Sequence, residues 1–359
     1  MTHITLIGGG FCGTMALYHL MQRNDLPPLD ISWYDEAGRH GRGIAYSTPY
    51  PEHLLNVPAA GMSALPDDAT HFLKWLGPDA DPARFYPRKI YGDYLTSLMK
   101  EALATGQRKG HKISLLAEEA PAQGEGLTIH ATGTSQPLWP GGKKIHDPRL
   151  MAHPYLPDLV IPPATRMILI LGTGLSAVDA ILSLHKHGYQ GSIICISRNG
   201  LWPVAHGPKN KIWHWRRHID ALRPHSNKIW QSLPGFIQRA SLKKITYWNV
   251  IRHRMPPECA ALLKTLKQSG RVQTHRGTVR GIETHPDHIA IDLGNYKISG
   301  DMAINCLGYI SYRQKPAQGF RLSDHEWILG APLFGHLIET TAVPELRGQA
   351  QDVAYGVKV

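Results

Sequence analysis

The sequence predicts an α/β protein with two separate parallel sheets, and three observations support this prediction. A strand, a glycine-rich turn, a helix and a second strand follow one another near the N-terminus, and the turn begins at Gly8. The same succession recurs with a turn that begins at Gly172, 164 residues later, which is about one domain's length. Glycine is also enriched, at 35 of 359 residues, as expected of a chain with many tight turns. Two such units predict two domains, each with its own sheet.

The first unit has the spacing G-x-G-x-x-G between a strand at residues 4–7 and a helix at residues 14–21. In this pattern the first glycine permits a tight turn, the second lets the backbone approach a diphosphate, and the third lets helix and strand pack closely. The second strand ends at Asp35, where a carboxylate can accept hydrogen bonds from ribose hydroxyls. The unit therefore predicts a Rossmann-like site for a dinucleotide with a free ribose diol. The turn residues predicted to contact it are Gly8, Gly10, Phe11 and Gly13.

The second unit repeats the glycine turn but ends differently. Its second strand ends in Ser197 and Arg198, without a carboxylate. A carboxylate there would repel a 2′-phosphate, whereas serine and arginine can hold one. We therefore expect this site to prefer NADPH, with Arg198 at the phosphate. The other residues predicted to contact this nucleotide are Gly172, Thr173, Gly174 and Ser176.

Two dinucleotide sites in one chain suggest a flavin beside a nicotinamide. A proline-rich stretch at residues 154–163 is typical of a linker between domains. We therefore expect the first part of an FAD-binding domain at residues 1–155. A NAD(P)H-binding domain is expected at 156–300, including a basic helical segment at 199–270. Residues 301–359 are expected to complete the FAD-binding domain.

Further elements follow from periodicity and capping residues. A helix is predicted over residues 68–76, with Asp67 or Asp68 as its N-cap. A second helix is predicted over 89–104, where apolar residues recur with helical spacing on one face. A third begins at Pro256–Pro257, and short alternating segments after it predict strands.

The net charge of +11 comes from one stretch of the chain. Residues 198–254 contain twelve Lys and Arg but one acidic residue, Asp220, and the rest of the chain is neutral. Tryptophans interleaved with such charges could stack on nucleic-acid bases. No nucleic-acid-binding fold signature accompanies them, so an anionic cofactor or substrate is the favoured partner and nucleic acid is not predicted. The tryptophans are Trp202, Trp213, Trp215, Trp230 and Trp248.

Several classes of protein are disfavoured by what the sequence lacks. No apolar run approaches the roughly 20 residues of a membrane span. The N-terminus has no leader pattern, so a cytoplasmic protein is expected. The four cysteines form no C-x-x-C pair, which argues against a redox dithiol. His214 and His218 have a metal-ligand spacing, but the arginines between them make a metal site unfavourable, and no metal is predicted.

Motifs spread over nearly the whole chain resemble those of one family, in the same order. They are GRGIAYS at 41–47, HLLNVPA at 53–59 with Met62 and Ser63, PR at 87–88 with YGDYL at 91–95, ATG at 131–133, residues 170–179, Ser197 and Arg198 with His206, RHRMPP at 252–257, NCLG at 305–308 and residues 339–347. The sequence resembles bacterial FAD/NAD(P)-binding oxidoreductases related to the class B flavin monooxygenases. That group includes aspartate N-hydroxylases and FAD-dependent urate hydroxylases.

The resemblance implies that FAD binds at the first glycine turn and Asp35, with Arg42 near its diphosphate. It implies two residues with catalytic roles: Asn56, whose amide could hydrogen-bond a flavin–oxygen adduct, and Arg88, which faces substrate or cofactor unless it serves the core or the surface. The remaining cofactor contacts that it implies are Met62, Ser63, Gly308, Ala342 and Val343.

The resemblance implies an NADPH-dependent flavin monooxygenase. NADPH would reduce FAD, oxygen would add at flavin carbon C4a, and the (hydro)peroxyflavin would hydroxylate a small polar substrate, such as an amine or a purine. The positive charge favours an anionic substrate. Residues 111–131 and 313–327 are shorter than in the family, which leaves tight retention of FAD open. Two alternatives also remain open: a non-catalytic or degenerate FAD/NAD(P)-binding protein, and a plain NAD(P)H oxidase or reductase.

Overall fold

The computed structural model describes residues 1–122, 124–134, 136–137, 139–142, 145–155, 159–207, 225–242, 245–310 and 314–359. Within these residues the strands are β1 Thr2–Ile7, β2 Leu29–Tyr34, β3 Lys112–Leu116, β4 Leu127–His130, β5 Gln136–Pro137, β6 Leu150–Met151, β7 Met167–Leu171, β8 Ser192–Ser197, β9 Val272–Arg276, β10 Gly281–Thr284, β11 Ile289–Asp292, β12 Lys297–Gly300, β13 Met302–Asn305, β14 Tyr309–Ile310 and β15 Glu326–Ile328. The α-helices are α1 Phe11–Gln22, α2 Gly43–Tyr46, α3 His71–Leu76, α4 Arg88–Arg108, α5 Leu175–Lys186, α6 Ser226–Ser232, α7 Gly235–Leu242, α8 Ile245–Arg252, α9 Pro257–Gln268 and α10 Val343–Gly356.

The first lobe is built on a five-stranded sheet in the order β15-β4-β1-β2-β3, and every pair of neighbours is parallel. Helix α1 packs against both α4 and α10, and all of its residues except Gln22 are buried. Helix α1 is therefore covered on every side, and it is mostly apolar rather than amphipathic with one polar face. All five strands pair although only residues 117–126 separate β3 from β4.

The second lobe repeats this architecture with a parallel sheet in the order β6-β13-β7-β8-β9. Helices α5 and α9 pack against one another and against this sheet. An antiparallel sheet, β10-β11-β12, contributes to a core on the other strand faces, where Ile289 and Ile291 pack with Leu169 and Leu171. The prediction of an α/β fold with two dinucleotide-binding domains is confirmed.

Two strands of the second sheet, β6 at its edge and β13 beside it, come from segments that sequence reasoning placed in the first domain. Strand β6 precedes residue 156 and β13 follows residue 300, yet both pair within the second sheet. The boundaries drawn at 155 and 300 therefore separated these strands from their partners. The physical reason is that strand pairing is non-local, whereas a proline-rich stretch marks only a local break. The two connections between the lobes run side by side as the antiparallel ribbon β5–β14.

Helix α3 begins later than predicted. It starts at His71 rather than at Asp68, and its N-cap is Thr70. The Asp68 carboxylate accepts hydrogen bonds from the Thr70 N–H (3.1 Å) and hydroxyl (2.8 Å), which holds a turn before the helix. Aspartate thus stabilises a local turn that competes with its use as a cap. No helix in the described ranges is long and apolar enough to cross a membrane.

Candidate functional site

The first glycine turn leaves the start of helix α1 open. Gly8 has φ +109°, and a Cβ there would overlap the Ala131 carbonyl. A Cβ at Gly13 would overlap the Gly8 carbonyl, so strand and helix pack at closest approach. Gly10 is the N-cap of α1 and no side chain caps the helix there. The first N–H groups of α1 are therefore available to an anion, which the helix dipole also favours.

Asp35 lies against this turn. One carboxylate oxygen accepts the Gly9 N–H at 2.9 Å, and the other accepts the N–H groups of Ala37 (3.2 Å) and Arg39 (2.9 Å). These hydrogen bonds fix the carboxylate at the end of β2 and leave part of its acceptor capacity for a ribose.

The loop after Asp35 closes on the turn from the other side. Gly43 has φ +57°, and a Cβ there would lie 2.7 Å from the Gly10 Cα. Its neighbour Arg42 pairs with Asp93 of α4 at 2.5 Å. Arg42 thus borders the first turn, on the side where its predicted diphosphate contact would be made. That contact stays a prediction.

The second glycine turn has the same backbone geometry. Gly172 has φ +122°, and a Cβ there would overlap the Cys306 carbonyl. Gly174 is the N-cap of α5 with φ −80° and ψ −171°, against φ −82° and ψ −164° at Gly10. A Cβ at Gly174 would meet no atom within 4 Å. In the part of the chain that the structure describes, no side chain caps either helix start, so each turn can admit a diphosphate.

A neutral hydroxyl takes the place of the carboxylate in the second unit. The Ser197 hydroxyl contacts the Thr173 hydroxyl at 2.9 Å and accepts the Gly200 N–H at 3.0 Å. Arg198, the next residue, is exposed. These hydrogen bonds fix the turn, and the strand end that corresponds to Asp35 carries a neutral side chain in the second unit.

Sequence reasoning missed a second arginine at this place. Arg276 ends β9, which pairs with β8 so that Arg276 is the partner of Ser197. A Cβ on Gly200 would lie 3.0 Å from the Arg276 Cγ, so the Arg276 side chain runs along the same turn. The signal available was its position at the end of the next parallel strand, because carboxyl ends of parallel strands share one sheet edge.

A continuous set of contacts joins the two turns. The loop at Gly43 touches the first turn, and a Cβ on Gly92 of α4 would overlap the carbonyl of Tyr46. At the start of α4, Arg88 pairs with Asp179 of α5 at 2.8 Å, with side chains 13% and 6% exposed. The starts of α1 and α5 therefore border one region between the lobes.

Arg88 is held on several sides. Its Nε donates to the Leu54 carbonyl at 3.1 Å, and its guanidinium lies 5.3 Å from the ring centre of Tyr155. The Tyr155 hydroxyl in turn lies 3.1 Å from the Ser176 hydroxyl. Burial disfavours the charged guanidinium, but Asp179 outweighs it and holds the pKa of Arg88 above its ordinary value. The predicted role of Arg88 at substrate stays a prediction, and the geometry gives it a role in joining the lobes.

The other predicted residues near the flavin lie in two environments. The backbone carbonyl of Asn56 contacts the His206 ring nitrogen Nε2 of the second lobe at 3.0 Å, so Asn56 lies where the lobes meet. Met62 and Ser63 are buried, and the Ser63 hydroxyl contacts the backbone of Leu65 and Asp68. Their flavin contacts stay predictions, and for Ser63 the hydroxyl is already engaged within the first lobe.

The start of helix α10 lies near the start of helix α1 in the first lobe. Arg23, after α1, donates to the carbonyls of Ala354 (2.8 Å) and Val357 (2.6 Å) at the end of α10. At the other end, a Cβ on Gly330 would lie 2.9 Å from the Cys12 Sγ and 3.8 Å from Leu346. The two helices therefore run parallel. The start of α10 at Ala342 and Val343, which no side chain caps, lies at the same end as the start of α1.

Gly308 follows β13 and has φ +96°, and a Cβ there would meet no atom within 4 Å. It is exposed, at the strand end beside the second turn. The residues present therefore fit two dinucleotides: open helix starts, glycines where a Cβ would intrude, a fixed carboxylate in one unit and exposed arginines in the other.

The basic segment is described only in part. His214, His218, Trp213 and Trp215 lie outside the described residues. Trp230 is buried and donates to the Gly335 carbonyl at 3.0 Å, so it is a packing residue rather than an open stacking surface. In the described ranges, no group of three His, Cys, Asp or Glu residues could hold a metal ion.

All four cysteines are buried and unpaired. Burial raises the pKa of Cys12, Cys195 and Cys259 to about 12 and that of Cys306 well above its ordinary value. Since the thiolate is the reactive form, we expect an aromatic disulfide reagent at pH 8 to label none of them in the folded protein and all four after unfolding. Rapid labelling of a cysteine before unfolding would contradict this account.

Comparison with known proteins agrees with this geometry. Residues 5–134 match a family model described as FAD-NAD(P)-binding. No curated protein matches the sequence. Among solved structures, the chain is similar to ornithine hydroxylase (PvdA) from Pseudomonas aeruginosa, with a TM-score of 0.67 and 15% identity over 99% of this chain and 98% of that one.

Two further solved structures are similar over their whole lengths. One is the ornithine N-hydroxylase KtzI from Kutzneria sp. 744, described with reduced FAD, NADP⁺ and L-ornithine (TM-score 0.64, 13% identity, 99% and 98% of the two chains). The other is L-lysine 6-monooxygenase from Pseudomonas syringae (TM-score 0.65, 14% identity, 99% of both chains). At these identities the likeness establishes the fold. The chain is therefore an α/β protein with two dinucleotide-binding domains, and residues 5–134 carry the FAD-NAD(P)-binding family pattern.

Proposed function

We propose that this protein is an FAD-dependent, NADPH-using monooxygenase that hydroxylates a small polar substrate. The observation that carries the proposal is the pair of open glycine turns, equal in backbone geometry, whose helix starts border one region between the lobes. Two dinucleotides held in this way would bring their redox rings towards a shared space, as electron transfer between them requires.

In the first lobe, the open N–H groups of α1 would hold the FAD diphosphate, and Asp35 would accept the ribose hydroxyls. Arg42 would add a positive charge beside the diphosphate. The uncapped start of α10 would place a positive dipole end at the flavin ring. When bound, FAD would supply hydride acceptance and oxygen activation, and the protein would supply orientation and a dry pocket.

In the second lobe, the start of α5 would hold the NADPH diphosphate, and the space beside Ser197 would admit the 2′-phosphate. The Arg88–Asp179 ion pair joins the lobes directly beside this helix start. It would therefore fix the distance between the two nucleotides, on which hydride transfer depends.

An amine is the favoured substrate class, because the similar solved structures are described as ornithine and lysine hydroxylases. A purine-like substrate remains within the proposal, and the excess positive charge favours an anionic group on either. Asn56 and Arg88, which both lie where the lobes meet, are the proposed residues facing substrate or the reacting flavin edge.

Cofactor choice in the second lobe should depend on its two arginines. We expect Arg198→Ala and Arg276→Ala each to raise the KM for NADPH by about 10- to 100-fold, because each removes charge-assisted hydrogen bonds worth roughly 1.5–3 kcal/mol. The KM for NADH should change little, since NADH has no 2′-phosphate. Steady-state kinetics with both nucleotides provide the check, and an equal rise for NADH would contradict the assignment.

The proposed function is tested by purifying the protein in air with added FAD. We expect a yellow protein that oxidises NADPH and consumes oxygen. Screening amino acids, other amines and purines should find a compound that accelerates NADPH loss without matching peroxide release. Full peroxide release with every compound would instead identify an oxidase, and a colourless protein that binds only nicotinamide would overturn the proposal.

A further inference from the structure

A short segment before helix α10 is held by the second lobe. We name residues 335–341 the strap, because they lead directly to Ala342, the N-cap of α10. The strap belongs to the C-terminal part of the chain that completes the first lobe. The residues that hold it come from the helices α6 and α8 of the inserted lobe.

Helix α6 contacts the strap through one face. The Asn227 carbonyl oxygen accepts the N–H groups of Ile338 (3.0 Å) and Glu339 (2.9 Å), and its amide donates to the Glu339 carbonyl at 3.2 Å. One helical turn later, Trp230 donates to the Gly335 carbonyl at 3.0 Å. Positions i and i+3 share a helix face, so α6 holds the strap backbone at two points.

A buried ion pair adds a third point. Arg252, at the end of α8, pairs with the Glu339 carboxylate, and the two side chains are 6% and 0% exposed. Arg252 also reaches the Thr341 hydroxyl at 3.4 Å. From the first lobe, Gln349 of α10 donates to the Glu339 carbonyl at 3.3 Å and accepts the Gly330 N–H at 3.0 Å. Glu339 is therefore fixed by both lobes, three residues before the start of α10.

We propose that Asn227 and Arg252 are positioning residues that set the start of helix α10, and so the flavin environment, from the nicotinamide lobe. This inference rests on the proposed function for the identity of the bound group. The physical reason is that a fixed strap holds the start of α10, which is the positive end of its helix dipole, in one orientation. A preorganised dipole stabilises charge on a neighbouring group only while its orientation is kept.

The position of the strap itself can be tested without any cofactor. We expect Asn227→Ala and Arg252→Met to speed hydrogen exchange of the strap amides and the first turn of α10 by at least tenfold in the flavin-free protein. Exchange in the strands of the second lobe should not change. Lys186→Met is the control, because Lys186 is an exposed cation at the end of α5 in the second lobe and makes none of these contacts.

The second readout is the flavin. In protein loaded with FAD, both variants should weaken FAD binding by about tenfold and shift the flavin absorption spectrum and midpoint potential, whereas NADPH binding should stay as in the wild type. Asn227→Ala retains the ion pair, so it keeps the test open if Arg252→Met folds poorly. Combining Arg252→Met with Glu339→Gln should give less than the sum of the single effects, because both act through one contact.

The outcomes separate the two claims. Unchanged strap exchange in both variants would overturn the inference whether or not FAD binds. Faster exchange together with an unchanged flavin spectrum, potential and affinity would also overturn the inference, because the contacts that hold the strap would then have a structural role only. Failure of the wild type to bind FAD would overturn the proposed function, while the exchange experiment would still report whether the second lobe holds the strap.

Discussion

Replacement of Gly174 by glutamate is expected to slow NADPH-driven flavin reduction by at least about 100-fold, or ~2.7 kcal/mol in the barrier. Gly174 has backbone angles that any residue can adopt, and a Cβ there meets no atom within 4 Å. The fold should therefore accept the side chain. The new carboxylate would occupy the space of the diphosphate and repel it from the start of α5. Anaerobic stopped-flow reduction of the FAD-loaded variant measures the effect.

Two controls separate a blocked site from a damaged fold. Gly235→Glu adds the same charge at the start of α7, where Gly235 is exposed, and should reduce flavin at the wild-type rate. Gly172→Ala should instead damage the fold, because Gly172 has φ +122° and an added Cβ would overlap the Cys306 carbonyl. We expect it to lower the free energy of unfolding by roughly 3 kcal/mol. Wild-type reduction in Gly174→Glu would show that NADPH does not use this turn.

Loss of the Arg88–Asp179 ion pair is the second change with a large expected effect. Both side chains are largely buried, so removal of either partner leaves the other charge without compensation. We expect Arg88→Met and Asp179→Asn each to lower the free energy of unfolding by about 3–5 kcal/mol. Denaturant titration of both variants, followed by fluorescence, provides the measurement.

The double variant Arg88→Met/Asp179→Asn is the matched control for this ion pair. Because it removes both buried charges, its loss of stability should be smaller than the sum of the single losses by at least about 1 kcal/mol. Additive losses would contradict a direct pairing. The flavin reduction rate of the folded double variant also distinguishes two roles of Arg88. A rate that returns to the wild-type value indicates that Arg88 acts by joining the lobes. A rate that stays below the wild-type value indicates that Arg88 contacts substrate or cofactor.

Local patterns in the sequence predicted the two glycine turns and their flanking strands and helices well. The strands and helices around Gly8 and Gly172 lie where the spacing placed them, because tight turns, caps and helical periodicity are properties of neighbouring residues. The open helix starts at Gly10 and Gly174 follow from the same local rule. The hydroxyl of Ser197 in place of a carboxylate could also be read from one position of the pattern.

Contacts between distant parts of the chain could not be predicted in this way. Nothing near Arg88 indicates that its partner is Asp179, 91 positions away. Residues 302–305 have the apolar composition of a buried strand, but composition does not say which sheet a strand joins. Glu339 likewise gives no local sign that Arg252 of the other lobe neutralises it. In each case the partner is determined by how distant segments of the chain pack together, which a single sequence does not reveal.

The most direct test of the central claim is an anaerobic titration of the FAD-loaded protein with NADPH, followed by flavin absorbance. If the two glycine turns hold nucleotides that share one crevice, about one equivalent of NADPH should bleach the flavin band, and admission of oxygen should restore it. A protein that binds both FAD and NADPH yet keeps its oxidised flavin spectrum would contradict the account.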